Sequence, residues 1–150
     1  MGAGETTDAA LNDNTASNQL TFHYDVTNPT VTIASSKPTD TNTEPIDLTF
    51  TFNEVVVDFV EADLGLTNCE VDAGSFLALS TTLFTAVVSP LAEGTVQVAL
   101  AAASTTDLSG NELVASSIQF VYDVTSPTPT ITTSAGSYTR VDPIPFTVEP

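Results

Sequence analysis

Carboxylates are the only abundant side chains in this sequence that could take part in chemistry. The 150 residues include 19 Asp and Glu but only two Lys and Arg, and the formal net charge is −17. Two carboxylates can act as acid and base in glycoside hydrolysis, whereas several converging carboxylate oxygens bind calcium. Because acidic residues are so frequent here, a pair of them has no diagnostic value for catalysis. The elements that position them must therefore decide their role.

The remaining reactive side chains do not suggest a catalytic site. Cys69 is the single cysteine, and no Lys, Arg or His lies near it in the sequence to lower its thiol pKa. We therefore expect it to be a small packed side chain. His23, the single histidine, alternates with Phe22 and Tyr24, which predicts that it points into solvent. Since residues 28–124 contain no histidine for a Ser–His–Asp triad, we expect that the chain is not an enzyme.

The charge and the hydropathy exclude two classes of partner. Nucleic-acid binding requires a basic surface, and so does attraction to anionic membranes. Lys37 and Arg140 are the only basic residues in the sequence. No apolar run approaches the roughly 20 residues that span a bilayer. We therefore expect no nucleic-acid partner and no membrane insertion by this segment.

Two nearly identical heptapeptides indicate that the sequence repeats itself. YDVTNPT begins at residue 24 and YDVTSPT begins at residue 122, an offset of 98, which the dipeptides at 45–46 and 143–144 share. Upstream, TTDAALNDNTASNQLTFHYDV (6–26) resembles TTDLSGNELVASSIQFVYDV (105–124), with one extra residue in the first copy. A fixed internal period is typical of tandem arrays. A unit of this length can hold its own core.

The repeat divides the chain into three predicted parts. Residues 1–24 are predicted to be the tail of an upstream repeat, including its last strand. Residues 25–124 are predicted to be one complete repeat with its entering linker. Residues 125–150 are predicted to be a linker and the first strands of a downstream repeat.

Alternating apolar residues predict strands throughout the complete repeat. Ile46, Leu48 and Phe50 share one face of a strand, and Ile118 and Phe120 share one face of another. Seven strands are predicted, at residues 30–35, 45–53, 63–71, 75–79, 82–89, 95–102 and 115–124. Seven short strands in a repeat of about 98 residues predict an all-β, immunoglobulin-like β-sandwich in tandem repeats.

Four stretches of the complete repeat resemble a known family. They are FNEVVVDFVEADLGLTN (52–68), FTAVVSPLAEGTVQVALAA (84–102), TDLSGNELVAS (106–116) and FVYDVTSPT (120–128). In this order they are similar to the bacterial Ig-like repeats of giant surface adhesins. The resemblance implies a structural segment of a long stalk or filament, located outside the cell, at its surface or in a secreted filament. Its partners would be neighbouring Ig-like repeats of the same chain or of other copies.

The direction of the strands predicts a cluster of acids at one end of the sandwich. Because consecutive strands alternate in direction, the entering linker and the loops 54–62, 80–81 and 103–114 fall at the N-terminal pole. That pole then carries Asp25, Asn53, Glu54, Asp58, Glu61, Asp63, Asp107 and Asn111. The opposite pole carries fewer acids, namely Asp40, Glu44, Glu93 and Asp123.

We predict a calcium site at the N-terminal pole, where it would rigidify the junction between repeats. Calcium takes roughly six to eight oxygen ligands, and carboxylates with Asn oxygens are of the right kind. The predicted ligands are Asp25, Glu54, Asp107 and Asn111, with Asp63 as a weaker candidate. The alternative is a solvated acidic surface that binds no metal.

Two other functions stay open. One is a module that binds a glycan, although the sequence has no Trp for an aromatic platform. A glycan or other surface ligand could equally be bound elsewhere in the parent protein. The other is a filament subunit that assembles by strand exchange, with strands in residues 17–24 and 129–148 pairing with neighbouring chains.

Overall fold

Residues 1–149 are described by a computed structural model, and nearly all of their regular structure is β-strand. The strands are β1 (Val31–Ser35), β2 (Asp40–Thr41), β3 (Ile46–Phe52), β4 (Val56–Val57), β5 (Leu64–Thr67), β6 (Cys69–Val71), β7 (Leu77–Ala78), β8 (Leu83–Pro90), β9 (Gly94–Leu100), β10 (Thr106–Asp107), β11 (Ser116–Tyr122), β12 (Thr130–Thr132) and β13 (Thr147–Glu149). One turn of 3-10 helix, η1, spans Glu61–Asp63. Within residues 1–149, no helix is long and apolar enough to cross a membrane.

Two sheets with mainly antiparallel pairing form a sandwich in the complete repeat. The first has the order β1-β3-β8-β6, with the short β7 also paired to β8, and the second has the order β2-β11-β9-β5. β2 and β11 are the one parallel pair in these two sheets. The chain crosses between the two sheets several times, and β8 to β9 is the last of these crossings. The prediction of an all-β, immunoglobulin-like sandwich is thus confirmed.

The apolar faces of the two sheets share one core. Phe50 of β3 lies opposite Phe84 of β8, and Val96 of β9 lies opposite Phe120 of β11. All four side chains are buried. Since alternate residues of a strand face the same side, the periodic apolar positions of the sequence become a continuous layer between the sheets.

Phe59 closes this core at the N-terminal pole although it belongs to no strand. Its ring lies edge-on to the rings of Phe50, Phe52, Phe76 and Phe84, with centroid distances between 4.9 and 5.9 Å. Edge-to-face contacts are a favourable arrangement for aromatic rings. Phe59 therefore anchors the loop that follows β3 to the core.

The single strand predicted at residues 63–71 is wrong, because this segment forms two strands in different sheets. β5 pairs with β9, whereas β6 pairs with β8. Asn68, between them, has a φ of 54°, a left-handed conformation in which Asn is enriched. Its side-chain amide donates a hydrogen bond to the Ala92 carbonyl oxygen at 2.8 Å. The chain reverses direction at this one residue. Apolar and polar residues alternate on both sides of Asn68, so the alternation by itself does not reveal the turn.

The strand predicted for the upstream tail, within residues 17–24, is not formed. Leu20, Phe22 and Tyr24, the alternate apolar residues of this segment, are all exposed. A strand depends on a neighbour that satisfies its backbone hydrogen bonds. Among residues 1–149, no strand lies beside this segment.

The segment after the complete repeat forms a hairpin whose register repeats that of the first hairpin. β12 pairs with β13 as β1 pairs with β3, and each pair is displaced by 98 positions. The pairs are Thr130 with Glu149, Ile131 with Val148 and Thr132 with Thr147, matching Thr32 with Thr51, Ile33 with Phe50 and Ala34 with Thr49. The strands predicted within residues 129–148 are thus formed in part, as two short strands that pair with each other.

Replacing Phe59 by Ala should lower the free energy of unfolding by about 3–5 kcal/mol, because it removes a buried ring and leaves a cavity. Urea unfolding followed by circular dichroism measures the loss. Phe22→Ala is the matched control, since its ring is 81% exposed and the same change should cost less than about 0.5 kcal/mol. Equal losses in the two variants would contradict the role of Phe59 in the core.

Candidate metal centre

Three carboxylates converge at the N-terminal pole of the sandwich. Asp25, Glu54 and Asp107 each offer an oxygen, and these oxygens lie within 4.8 Å of one another. The residues come from the linker before β1, the loop after β3 and strand β10. Three of the four predicted carboxylate ligands, distant in sequence, are therefore neighbours in the fold.

A small two-stranded sheet at the pole brings the loops together. β4 pairs with β10, which places Val56 opposite Asp107. The Val56 amide also donates a hydrogen bond to the Thr81 carbonyl oxygen at 3.2 Å. The three loops that strand direction predicts at this pole are thus joined by backbone hydrogen bonds, and Asp107 lies beside the loop that carries Glu54.

The linker before β1 is fixed to the same pole. The Val114 amide donates to the Pro29 carbonyl oxygen at 3.0 Å, and the Asn28 side chain donates to the Glu112 carbonyl oxygen at 2.9 Å. Pro29 is itself buried. These contacts hold the linker against the loop before β11, and so they place the carboxylate of Asp25 at the cluster.

Asp107 is the buried member of the cluster, with 4% of its surface exposed. Its Oδ1 accepts hydrogen bonds from the amides of Ser109 and Asn111 at 2.8 Å, and its Oδ2 accepts one from the Asn111 side chain at 2.7 Å. Burial raises the pKa of this carboxyl, but the donors from Asn111, Ser109 and Gly110 together lower it by more. The net pKa lies below the ordinary value, and Asp107 is ionised at neutral pH.

The other two predicted ligands have different contacts. Asn111 turns the NH₂ group of its amide toward the cluster, and it donates to Asp107 and, at 3.3 Å, to the carbonyl oxygen of Asp25. In this orientation it braces two members of the cluster. Asp63 lies outside the group of three carboxylates. Its carboxylate accepts a hydrogen bond from the Val60 amide at 2.8 Å and so closes the turn η1.

The loop from Asp107 to Asn111 has a second copy at residues 8–12. In both copies the Asp carboxylate accepts from the amide two positions on, and from the backbone and side-chain amides of the Asn four positions on. The residue before the Asn is left-handed in both, with φ of 88° at Gly110 and 65° at Leu11. Because residues 8–12 are exposed and have no sandwich around them, this loop conformation is determined locally.

Cys69 is packed as the sequence predicts, whereas His23 is exposed together with its neighbours Phe22 and Tyr24. With the three carboxylates, His23 borders a cavity of about 230 Å³. Cys69 is buried, and its thiol donates to the Gln97 carbonyl oxygen at 3.6 Å. Burial raises the pKa of this thiol, so that it stays protonated at neutral pH and is a packed side chain.

The opposite pole carries the four other acids that the strand order predicts there. Asp40 and Asp123 line a cavity of about 310 Å³ at the end of β11. Tyr122 lies nearby, and its pKa is raised by burial and by the carboxylates of Glu44 and Glu93. Both poles of the sandwich are therefore acidic.

The fold and the motifs define this molecule as an immunoglobulin-like module. The sequence model described as the bacterial Ig-like domain matches residues 25–124, and the chain belongs to that family. The predicted resemblance is confirmed. Domains of this family are typically structural modules rather than enzymes, and they are often exposed at surfaces. Comparison with curated proteins and with solved structures found no match.

Replacing Asp107 by Asn should destabilise the protein at neutral pH, because the ionised carboxylate accepts three hydrogen bonds from neighbouring amides. A lowered pKa means that this stabilisation is present above the ordinary carboxyl pKa of about 4 and is lost as the pH falls through the lowered value. Urea midpoints of the variant and the wild type, measured from pH 7 downward, should therefore differ most at pH 7 and converge in acid.

Asp8→Asn is the matched control for this experiment. The Asp8 carboxylate has the same hydrogen-bond pattern, and the bonds from Asn12 and Ala10 lower its pKa in the same way. It is exposed and belongs to no sheet, so the unfolding of the sandwich should not depend on it. A constant difference between Asp107→Asn and the wild type at every pH would contradict a role for the ionised form.

Proposed function

We propose that this chain is a segment of a long extracellular stalk or filament made of Ig-like repeats. The observation that carries the proposal is the repeated register of β12 and β13, which follows β1 and β3 at an offset of 98 positions. The second copy of the Asp107 loop, at residues 8–12, supports the same interpretation on the upstream side. Structure that recurs at a fixed period is typical of tandem arrays.

In such an array the short linkers would carry mechanical load between rigid sandwiches. The linker before β1 begins directly after Tyr24 and is already buried against the next repeat at Pro29. A linker of this length leaves little freedom between neighbouring sandwiches. The function of each repeat would then be to add length and stiffness, and binding would be the task of another part of the parent protein.

We further propose that calcium binds the three carboxylates at the N-terminal pole. Asp25, Glu54 and Asp107 fit this ion, since calcium prefers carboxylate oxygens at about 2.3–2.6 Å and accepts irregular geometry. Within the described residues, the groups that donate hydrogen bonds to these carboxylates are neutral amides. The repulsion between the three carboxylates is therefore only partly offset. When bound, calcium would supply the positive charge that offsets the rest.

The residues of the proposed site have separate tasks. Asp107 is fixed by its loop, and Asn111 holds it in register with the linker. Glu54 is oriented by the Asn53 side chain, which donates to it at 3.2 Å and accepts from the Thr30 amide at 2.6 Å. Because Asp25 belongs to the linker and the other two carboxylates belong to the sandwich, a shared cation would tie one to the other.

A module that binds a glycan is the second candidate. It is favoured by a cavity of about 630 Å³ beside the exposed ring of Tyr24, with Asp25 and Ser109 as polar groups. Pockets that combine an aromatic ring with a few polar groups suit small polar ligands. The repeat argues against it, because Tyr24 corresponds to Tyr122, which is half-buried in the complete repeat. An upstream sandwich would therefore cover much of this ring.

Calcium should raise the melting temperature of the chain in scanning calorimetry relative to the same protein in a chelator. At a free calcium concentration of about 100 times the dissociation constant, the stabilisation is about 2.7 kcal/mol. The double variant Asp25→Asn, Glu54→Gln should lose the response, because it keeps the shapes of the side chains and removes two of three charges.

The control for the calcium experiment is the double variant Glu61→Gln, Glu70→Gln. Both side chains are exposed and lie outside the group of three carboxylates, and the change in net charge is the same. This variant should respond to calcium like the wild type. An unchanged melting temperature in the wild type, or an equal response in the two double variants, would leave a solvated acidic surface as the better explanation.

A glycan array separates the stalk from the binding module. The stalk predicts no bound glycan for the intact chain at micromolar concentration. Retention of a glycan by the wild type and its loss in Tyr24→Ala would favour the binding module instead. Tyr138→Ala is the control, since that ring is also exposed and lies outside the cavity.

A further inference from the structure

The linker that leaves the complete repeat is held by Glu93. The Glu93 carboxylate accepts a hydrogen bond from the Val124 amide at 2.8 Å, and its two oxygens accept from the Thr125 hydroxyl at 2.8 and 2.9 Å. Glu93 lies in the turn between β8 and β9. Glu93, a residue of the sandwich, therefore binds Val124 and Thr125, the two linker residues that follow Asp123.

The linker that precedes the complete repeat is held at other positions. Its contacts come from the loop before β11 and from the loop after β3, and they lie on both sides of Val26 and Thr27. The bonds run from the Asn111 side chain to the Asp25 carbonyl (3.3 Å), from the Asn28 side chain to the Glu112 carbonyl (2.9 Å), from the Val114 amide to the Pro29 carbonyl (3.0 Å), and from the Thr30 amide to the Asn53 side chain (2.6 Å). Within residues 1–149, no hydrogen bond from the following repeat reaches Val26 or Thr27.

The two linkers have the same local conformation. The Asp25 carboxylate accepts from the Thr27 amide at 2.9 Å, and the Asp123 carboxylate accepts from the Thr125 amide at 2.8 Å. This is the same Asx turn in both copies. Their heptapeptides differ at one position only, where Asn28 corresponds to a serine. Because the two linkers are equivalent, the contacts of both can be combined to describe one complete joint between two repeats.

We propose that Glu93 is a positioning residue of the joint between repeats. By holding the linker, it fixes the orientation of its partner, the next Ig-like repeat of the chain. When the two linkers are combined, the preceding repeat holds the Val–Thr pair through Glu93, and the following repeat holds the residues on either side of that pair. Every linker position that corresponds to residues 25–30 then forms a hydrogen bond with one of the two repeats. No residue of the linker is left unbonded to act as a hinge. The inference rests on the proposed tandem function.

Amide hydrogen exchange and ¹⁵N relaxation of the intact chain in a chelator test the grip of Glu93. In Glu93→Ala the Val124 amide should exchange roughly ten- to a hundredfold faster, the range expected for the loss of a hydrogen bond to a charged group. The heteronuclear NOE of Val124 and Thr125 should fall. Thr125→Val should loosen the same residues to a smaller extent, whereas Thr125→Ser, which keeps the hydroxyl, should resemble the wild type.

Two controls make the result decisive. Glu70→Ala removes the same charge from an exposed position on β6 and should leave Val124 unchanged. The amides of β9 and β11 report whether each variant is folded. Because a grip shared by Glu93 and Thr125 couples the two residues, the double variant should add little to Glu93→Ala. Equal exchange of Val124 in the wild type and in Glu93→Ala would overturn the proposal.

The chelator separates this test from that of the calcium site. A loss of protection in Glu93→Ala supports the joint even if calcium has no effect on the melting temperature. Conversely, a calcium response with unchanged Val124 exchange would leave the metal site in place and remove Glu93 from the joint.

Discussion

The burial of alternate apolar side chains between two antiparallel sheets is the constraint on which the rest of the structure depends. Phe50 meets Phe84 and Val96 meets Phe120 in this core because β3 pairs antiparallel with β8 and β9 pairs antiparallel with β11. Those directions decide which loops meet at each pole. The convergence of Asp25, Glu54 and Asp107 is therefore a consequence of how the core is packed, with Phe59 fixing the loop that carries Glu54.

Electrostatics then act on an arrangement that packing has already set. A chain with a net charge of −17 has few basic side chains to pair with its carboxylates. Neutral amides stabilise many of these carboxylates instead, by donating hydrogen bonds to them. The loop around Asp107 supplies three such donors, and Glu93 uses the amide and the hydroxyl of the linker at the other pole. Hydrogen bonds from neutral donors stabilise an ionised carboxylate without cancelling its charge. Both poles of the sandwich therefore keep their negative charge.

In the two linkers, local interactions determine the conformation of the backbone, and tertiary interactions determine how each linker is oriented on the sandwich. The Asx turns of Asp25 and Asp123 form in the same way at both ends of the complete repeat. The contacts that aim the linkers come from different parts of the sandwich: Glu93 at one pole, and the loop before β11 at the other. In the proposed array, a repeat that contacts the linkers at both of its poles would orient the next repeat relative to the previous one, which is the property that a stiff stalk requires.

The sequence by itself determined the features that depend on near neighbours or on simple periodicity. The alternation predicts the all-β sandwich, the strand order predicts the acidic pole, and the loop at residues 107–111 forms from its own residues, since residues 8–12 adopt the same conformation without a sandwich. Strand direction places all five candidate ligands at that pole, and three of their carboxylates lie together there.

Only the tertiary structure decided the features that depend on a distant partner. The reversal of the chain at Asn68 is stabilised from the turn between β8 and β9, where the Ala92 carbonyl accepts from the Asn68 side-chain amide and the Leu91 amide donates to the Asn68 carbonyl. Asn111 points its NH₂ group at Asp107 and Asp25 because they lie beside it. Residues 17–24 form no strand because no strand lies beside them. A periodic pattern states which face of a segment is apolar, but the backbone and side-chain hydrogen bonds that fix a turn, a ligand or a strand come from residues far away in the chain.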